Sequence, residues 1–94
     1  MQTKFTLNPA VKLHWRHWTS EFVVFEETSG QTHVLDSLRA FVLNSIADFP
    51  QTFEQLLLDI SAAMDTEKTG EIERLTRTAL SEFETLGLLE RSPV

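Results

Sequence analysis

The segment EFVVFEETSGQTHVLDSL, residues 21–38, contains two strand patterns and the start of a helix. Its first part, residues 21–27, is rich in β-branched and aromatic residues and has charged residues at both ends, which is typical of a strand. Residues 28–30, TSG, then predict a tight turn, because glycine permits the positive φ that such turns use. The short run 31–35 predicts the next strand, antiparallel to the one before it.

The residues before this segment predict one more strand. Residues 13–18, LHWRHW, alternate imperfectly between apolar and polar side chains, as a half-buried strand does. A turn at Thr19–Ser20 would connect them to the next strand. The sequence therefore predicts a three-stranded antiparallel meander with Phe22–Phe25 in its central strand.

Helices follow the strands. Asp36 is a good N-cap for a first helix, which should end near Asp48 because Pro50 disfavours helical geometry in the residue before it. Thr52 and Gln55 fit a capping box at the start of a second helix.

The third helix has the clearest pattern. Thr66 or Thr69 is its predicted cap, and Gly87 is the glycine expected just after its C-terminal end. Its apolar stripe at 3.6 residues per turn consists of Ile72, Leu75, Ala79, Phe83 and Leu86. Strands segregated from helices predict an α+β fold, here winged-helix-like, with a three-stranded antiparallel β-meander followed by three α-helices. We expect a single domain over residues 1–94, with its core over about 10–90.

Composition narrows the function classes. The 94-residue chain has a formal net charge of −6, from 14 acidic and 8 basic residues, and no cysteine. A winged-helix DNA-binding regulator needs a basic recognition surface, so this charge disfavours nucleic acid as a partner. No apolar run approaches the roughly 18–20 residues that span a bilayer, so we expect no membrane contact and a cytoplasmic protein.

The sequence indicates no catalytic, metal or cofactor site. The three histidines are His14, His17 and His33, and the first two would point to opposite faces of one strand. No nucleophile elbow, phosphate loop or zinc motif is present. We therefore predict that the chain is not an enzyme.

The predicted third strand offers a binding edge. Edge strands usually carry a charge, a proline or a bulge that prevents pairing with other chains. Gln31, Thr32, His33, Val34 and Leu35 include no lysine, arginine or proline. A peptide could add to this strand through main-chain hydrogen bonds. The alternative is that the N-terminal arm or a helix covers the edge.

The third helix could form the other side of such a site. Leu80 lies on the flank of its apolar stripe, where it could contact an apolar peptide side chain. Glu73, Thr76, Arg77 and Glu84 lie near it on the helix and complete the predicted peptide-binding set. The alternative is that Leu80 only widens the core face and that the charged residues form ordinary surface pairs.

The central strand predicts a partner surface. Three helices cover one face of the sheet, so the other face would expose Val23 and Phe25, with Trp15 or Trp18 beside them. Such a patch would bind a partner protein or a second copy in a homodimer. The alternative is that the N-terminal arm, with Phe5 and Leu7, folds over it.

The sequence resembles the PqqD family of small peptide chaperones. The resemblance is carried by Phe22–Phe25, by residues 33–38 (HVLDSL), by residues 52–57 (TFEQLL) and by residues 82–89 (EFETLGLL). It covers about residues 10–90, and residues 5–18 look most like the branch associated with an HPr-related "A" system.

The resemblance implies a precursor-peptide recognition element with a winged-helix-like fold. In such proteins a leader peptide adds to the third strand of the meander and lies against the third helix, and a modifying enzyme acts on the bound precursor. In the HPr-related branch, the implied partner is a kinase-like protein. A permanent regulatory or structural subunit of that partner is the alternative function.

Overall fold

The computed structural model describes residues 3–18, 21–63 and 70–93, apart from the side chains of Trp18 and Pro93. The strands are β1 (Thr3–Leu7), β2 (Leu13–Trp18), β3 (Glu21–Glu26), β4 (Gln31–Leu35), β5 (Gln51–Thr52) and β6 (Leu89–Pro93). The helices are α1 (Ser37–Asp48), α2 (Phe53–Ala63) and α3 (Gly70–Thr85). The predicted turn at Thr19–Ser20 and the predicted cap at Thr66 or Thr69 lie outside the described residues.

The predicted meander is present as the sheet β2-β3-β4, and its strands are antiparallel. Its central strand, β3, pairs Val24 with Trp15 of β2 and with His33 of β4. Val24 is completely buried because it faces the helices. Together with the three helices, this meander confirms the predicted α+β class.

Local signals set the ends of α1 and α2 as predicted. The side chain of Asp36 accepts a hydrogen bond of 2.8 Å from the Arg39 amide and so caps α1. The capping box is reciprocal: the Gln55 side chain accepts from the Thr52 amide at 2.9 Å, and Thr52 Oγ1 accepts from the Gln55 amide at 3.2 Å. These bonds satisfy donors that the first turn of a helix leaves without intrahelical acceptors.

The end of α3 also follows the prediction. Gly87 has a φ of 78°, and its amide donates to the Glu84 carbonyl. The Leu88 amide donates to the Phe83 carbonyl, which completes a Schellman motif. Leu88 is buried directly after it and directs the chain into β6.

A second sheet, β5-β1-β6, was not predicted. The N-terminal strand β1 pairs along its whole length with the C-terminal strand β6, and it also pairs with the two residues of β5. Phe5 is buried in the common core. The N-terminal arm therefore does not cover the exposed face of the meander, and that alternative was wrong.

The hydrophobic core lies between the two sheets and the helices. Its completely or almost completely buried members include Leu43 and Ile46 of α1, Leu56 and Ile60 of α2, and Phe83 of α3. None of the described helices is long and apolar enough to cross a membrane.

Candidate functional site

The outer edge of β4 has no strand partner among the described residues. In the order β2-β3-β4, this strand pairs with β3 on one side only. Val34 faces away from the helices and is 61% exposed, whereas Leu35 points into the core and is 5% exposed. The free edge thus combines available main-chain groups with an anchored strand, since alternate side chains hold it to the core.

A buried carboxylate orders the turn that leads into β4. Glu26 is 4% exposed, and its side chain accepts hydrogen bonds from the amides of Ser29 at 2.6 Å, Thr28 at 2.9 Å and Lys12 at 3.4 Å. A hydrogen bond from the Ser29 side chain, followed by those from the Thr28, Ser29 and Lys12 amides, lowers the pKa of Glu26 to about 2. Gly30, with a φ of 74°, completes the turn. The position of β4 beside β3 therefore depends on an ionised side chain.

His33 has a buried polar atom on the inner face of β4. Its Nε2 is inaccessible to solvent and has no hydrogen-bond partner among the described residues. A buried unpaired polar atom costs about 1–3 kcal/mol. The sequence predicted His33 as part of the edge, but its inward position depends on the register with Val24.

Two residues predicted on the peptide-facing side of α3 are in the core instead. Leu80 is 3% exposed and Thr76 is completely buried, so neither presents a side chain to a ligand. The hydroxyl of Thr76 donates to the Ile72 carbonyl at 2.8 Å. The alternative interpretation of Leu80, as a residue that widens the core face, is the correct one.

Of the three charged residues predicted beside Leu80, Arg77 and Glu84 contact other elements, and Glu73 pairs with Arg77. Arg77 pairs with Glu73 at 3.1 Å, and its guanidinium carbon lies 4.3 Å from the centre of the Phe53 ring at the start of α2. Glu84 binds Arg91 of β6 through two hydrogen bonds of 2.7 and 2.9 Å. Glu73, Arg77 and Glu84 thus lie on the side of α3 that faces α2 and the second sheet.

The side of α3 nearest the end of β4 is marked by Glu82. Arg39, in the first turn of α1, donates two hydrogen bonds of 2.8 Å to Glu82 and one of 2.7 Å to Asp36, which directly follows β4. These bonds from Arg39 lower the pKa of Glu82. At 3.6 residues per turn, Leu75 and Thr78 lie within roughly 40° of Glu82 around the helix, whereas Glu73, Arg77 and Glu84 lie roughly 140–180° away.

Sequence reasoning missed the bridge between α1 and α3. The spacing of Asp36 and Arg39 is a local signal for their pair, but Glu82 lies 43 residues from Arg39. No local pattern identifies that partner. Which side of α3 lies near the end of β4 could therefore be identified only from the tertiary packing.

The residues predicted as a partner surface are divided between the two faces of the meander. Trp15 pairs with the buried Val24, so it lies on the inner face and packs against the core, contrary to the prediction. Strand alternation explains this, since only every second residue shares a face. Val23 and Phe25 lie on the outer face, where Phe25 is 40% exposed. Trp18 pairs with Glu21 at the end of the sheet.

The described residues bring together no group of three or more histidine, aspartate or glutamate side chains that could hold a metal ion. His14 lies 2.9 Å from Glu27 on the exposed surface. The site is therefore defined by a strand edge, a helix side and an apolar outer face.

Comparison with known proteins shows a shared fold. The chain is similar to TbiB1, solved in complex with the TbiA(beta) leader peptide, with a TM-score of 0.69 and 21% sequence identity over 90% of this chain and 94% of that one. This likeness agrees with the fold that the family resemblance implies. No family model matches the chain, and no curated protein matches it. Membership of the PqqD family and of its HPr-related branch stays a prediction.

Proposed function

We propose that this chain binds a leader peptide as an additional strand on β4 and presents the attached precursor to a modifying enzyme, without catalysing a reaction itself. The observation that carries the proposal is the free edge of β4, which has no lysine, arginine or proline. Native proteins usually protect such edges. The fold shared with a protein solved in complex with a leader peptide supports the same function.

The peptide would extend the sheet and alternate its side chains between the two faces. Side chains on the outer face would lie beside Val34, whose exposed surface they would cover. An apolar residue at that position gives a favourable cross-strand pair. Main-chain hydrogen bonds would supply affinity without depending on sequence.

The inner side chains of the peptide would face His33 and α3. A polar peptide group level with His33 could pair with its buried Nε2 and remove the cost of leaving that atom unpaired. On α3, we assign the contact to the side that carries Leu75, Thr78 and Glu82, in place of the one around Leu80. This assignment follows from the bridge of Glu82 to Arg39, at the end of β4.

Amide chemical-shift mapping tests the proposal. A candidate leader peptide, taken from a gene beside that of this chain, should perturb Gln31–Leu35 and the amides around Thr78 of α3. Perturbations restricted to the outer face, or to the Arg77 side of α3, would contradict the assigned site.

Proline substitutions test strand addition directly. Neighbouring residues of a strand direct their amides to opposite sides, so of His33→Pro and Val34→Pro one removes a donor from the free edge and the other breaks the ladder with β3. The edge variant should stay folded by circular dichroism and lose at least about tenfold in peptide affinity. If both variants fold and bind the leader peptide with equal affinity, binding by strand addition is refuted.

The outer face favours a second candidate function, that of a permanent subunit of a larger protein. Val23, Phe25 and Val34 form an apolar patch on this face, and a kinase-like partner or a second copy of the chain could cover it. Phe25→Ser should then abolish partner binding, or dimerisation measured by analytical ultracentrifugation, and leave peptide affinity unchanged. A monomeric chain whose partner affinity is unaffected by Phe25→Ser would exclude this function.

A further inference from the structure

A cavity of about 560 Å³ lies at the opposite edge of the meander from β4. It is formed by the inner face of β2 and β3, by the first half of α1 and by the end of α2. Its volume is within the range of about 300–1,000 Å³ typical of small-molecule sites. None of the residues assigned above to peptide binding lines it.

Most of the cavity lining is apolar. Trp15, Phe22, Leu38 and Phe41 each pack against the core on one side and remain only partly buried on the other. His17 stacks on Phe22 with ring centres 4.4 Å apart and an interplanar angle of 8°. These flat surfaces suit an aromatic ring, because stacked rings gain energy beyond the area they bury.

The polar groups of the cavity favour an anion. The described residues that line it include one cation, Arg16, and no carboxylate, although the chain has a net charge of −6. Ser37 and Leu38 line the cavity and are the first two residues of α1, whose amides have no intrahelical acceptor. The nearby carboxylate of Asp36 is paired with Arg39 at 2.7 Å and does not line the cavity. The end of the cavity at α1 therefore lies at the positive end of a helix dipole.

We infer that this cavity is a second binding site, for a small aromatic carboxylate, with the ring between Trp15, Phe22 and Phe41 and the carboxylate at the start of α1. The site does not depend on peptide binding at β4.

The probe is naphthalene-2-carboxylate, compared with its neutral amide. Titration into the full chain should shift the indole N–H resonance of Trp15, one of only two tryptophans, and the amides of Ser37 and Leu38. A Trp18→Phe variant assigns the two indole signals. The neutral amide should bind about two- to fivefold more weakly, as expected for loss of an interaction with a helix N-terminus.

Two alanines provide a matched pair of variants. Ala63, at the end of α2, lines the cavity and is exposed, so Ala63→Phe should occupy its mouth and weaken binding at least about tenfold. Ala47, on α1, is also exposed and does not line the cavity, so Ala47→Phe should bind the carboxylate normally. The inference is wrong if the carboxylate leaves Trp15 unperturbed, if it binds no better than the amide, or if Ala63→Phe and Ala47→Phe behave alike. Leader-peptide affinity, measured in the same variants, tests the proposed site at β4 independently of the cavity.

Discussion

At the scale of single residues, Glu26 is the side chain on which the β3–β4 hairpin depends most directly. A buried charge is costly unless it is hydrogen-bonded, and three backbone amides supply those bonds here. Because the amides belong to the turn and to the residue before β2, one carboxylate connects three parts of the chain. The geometry of β4 is thus coupled to an ionisation state.

Glu26 makes stability depend on pH in a defined direction. Its folded-state pKa of about 2 lies below the ordinary value of 4.5. The stabilisation from its ionised form is therefore complete above pH 4.5 and is lost progressively as the pH falls towards about 2. Glu26→Gln, which does not titrate, should be less stable than the wild type at pH 7, and the difference should narrow with acidification.

Urea denaturation of both proteins across this pH range measures that difference. Glu27→Gln is the control, because Glu27 is exposed and should change stability by less than about 0.5 kcal/mol. A difference for Glu26→Gln that stays constant between pH 7 and pH 3 would show that the carboxylate does not act through its charge.

At the scale of elements, each helix end is set by a few local residues. The Schellman motif after α3 directs Leu88 into the core and starts β6, so it aligns the strand that closes the second sheet. A glycine is required there because φ is positive, not because space is short. A Cβ atom on Gly87 would meet no atom within 4 Å.

Gly87→Ala should therefore lower the free energy of unfolding by about 1–2 kcal/mol, through backbone strain alone. Gly70→Ala is its matched control. Gly70 begins α3, has no positive φ and has equal space for a Cβ atom, so alanine should not destabilise the protein there. Thermal denaturation of the two variants decides the point, and equal melting temperatures would refute the role of the left-handed cap.

At the scale of the whole molecule, the Arg39–Glu82 bridge connects α1, α3 and the end of β4. It joins residues 43 apart in the chain, and its two parallel hydrogen bonds have the geometry of a strong guanidinium–carboxylate pair. The bridge therefore helps to set the distance between the free strand edge and the side of α3 assigned to the peptide.

A double-mutant cycle with Arg39→Ala and Glu82→Ala should give a coupling free energy of about 0.5–1 kcal/mol, reduced at high salt. The pair Glu73–Arg77, which lies within α3, is the comparison and should couple by only about 0.3–0.5 kcal/mol. Coupling of Arg39 and Glu82 no larger than that of the control pair would show that the bridge adds nothing across the fold.

Much of the fold was predictable because its signals are local. The strand composition of residues 21–26, the caps at Asp36 and Thr52, and the glycine at 87 act within a few residues of themselves, and the structure has each of these features. Of the candidate site, only the strand β4 was predictable from the sequence. The sequence shows directly that residues 31–35 include no lysine, arginine or proline. It does not show which side of α3 lies nearest this strand.

The amino-acid sequence by itself determined the meander, the three helices and an edge strand without protective residues, since hydrophobic periodicity and capping are properties of neighbouring residues. Tertiary structure alone decided three other features: the pairing of β1 with β6, the burial of Leu80 together with the inward position of Trp15, and the bridge from Arg39 to Glu82. The physical reason is common to all three. Strand pairing between the chain ends and the rotation of a helix about its axis are set by which distant surfaces pack best together, and no local pattern encodes that choice.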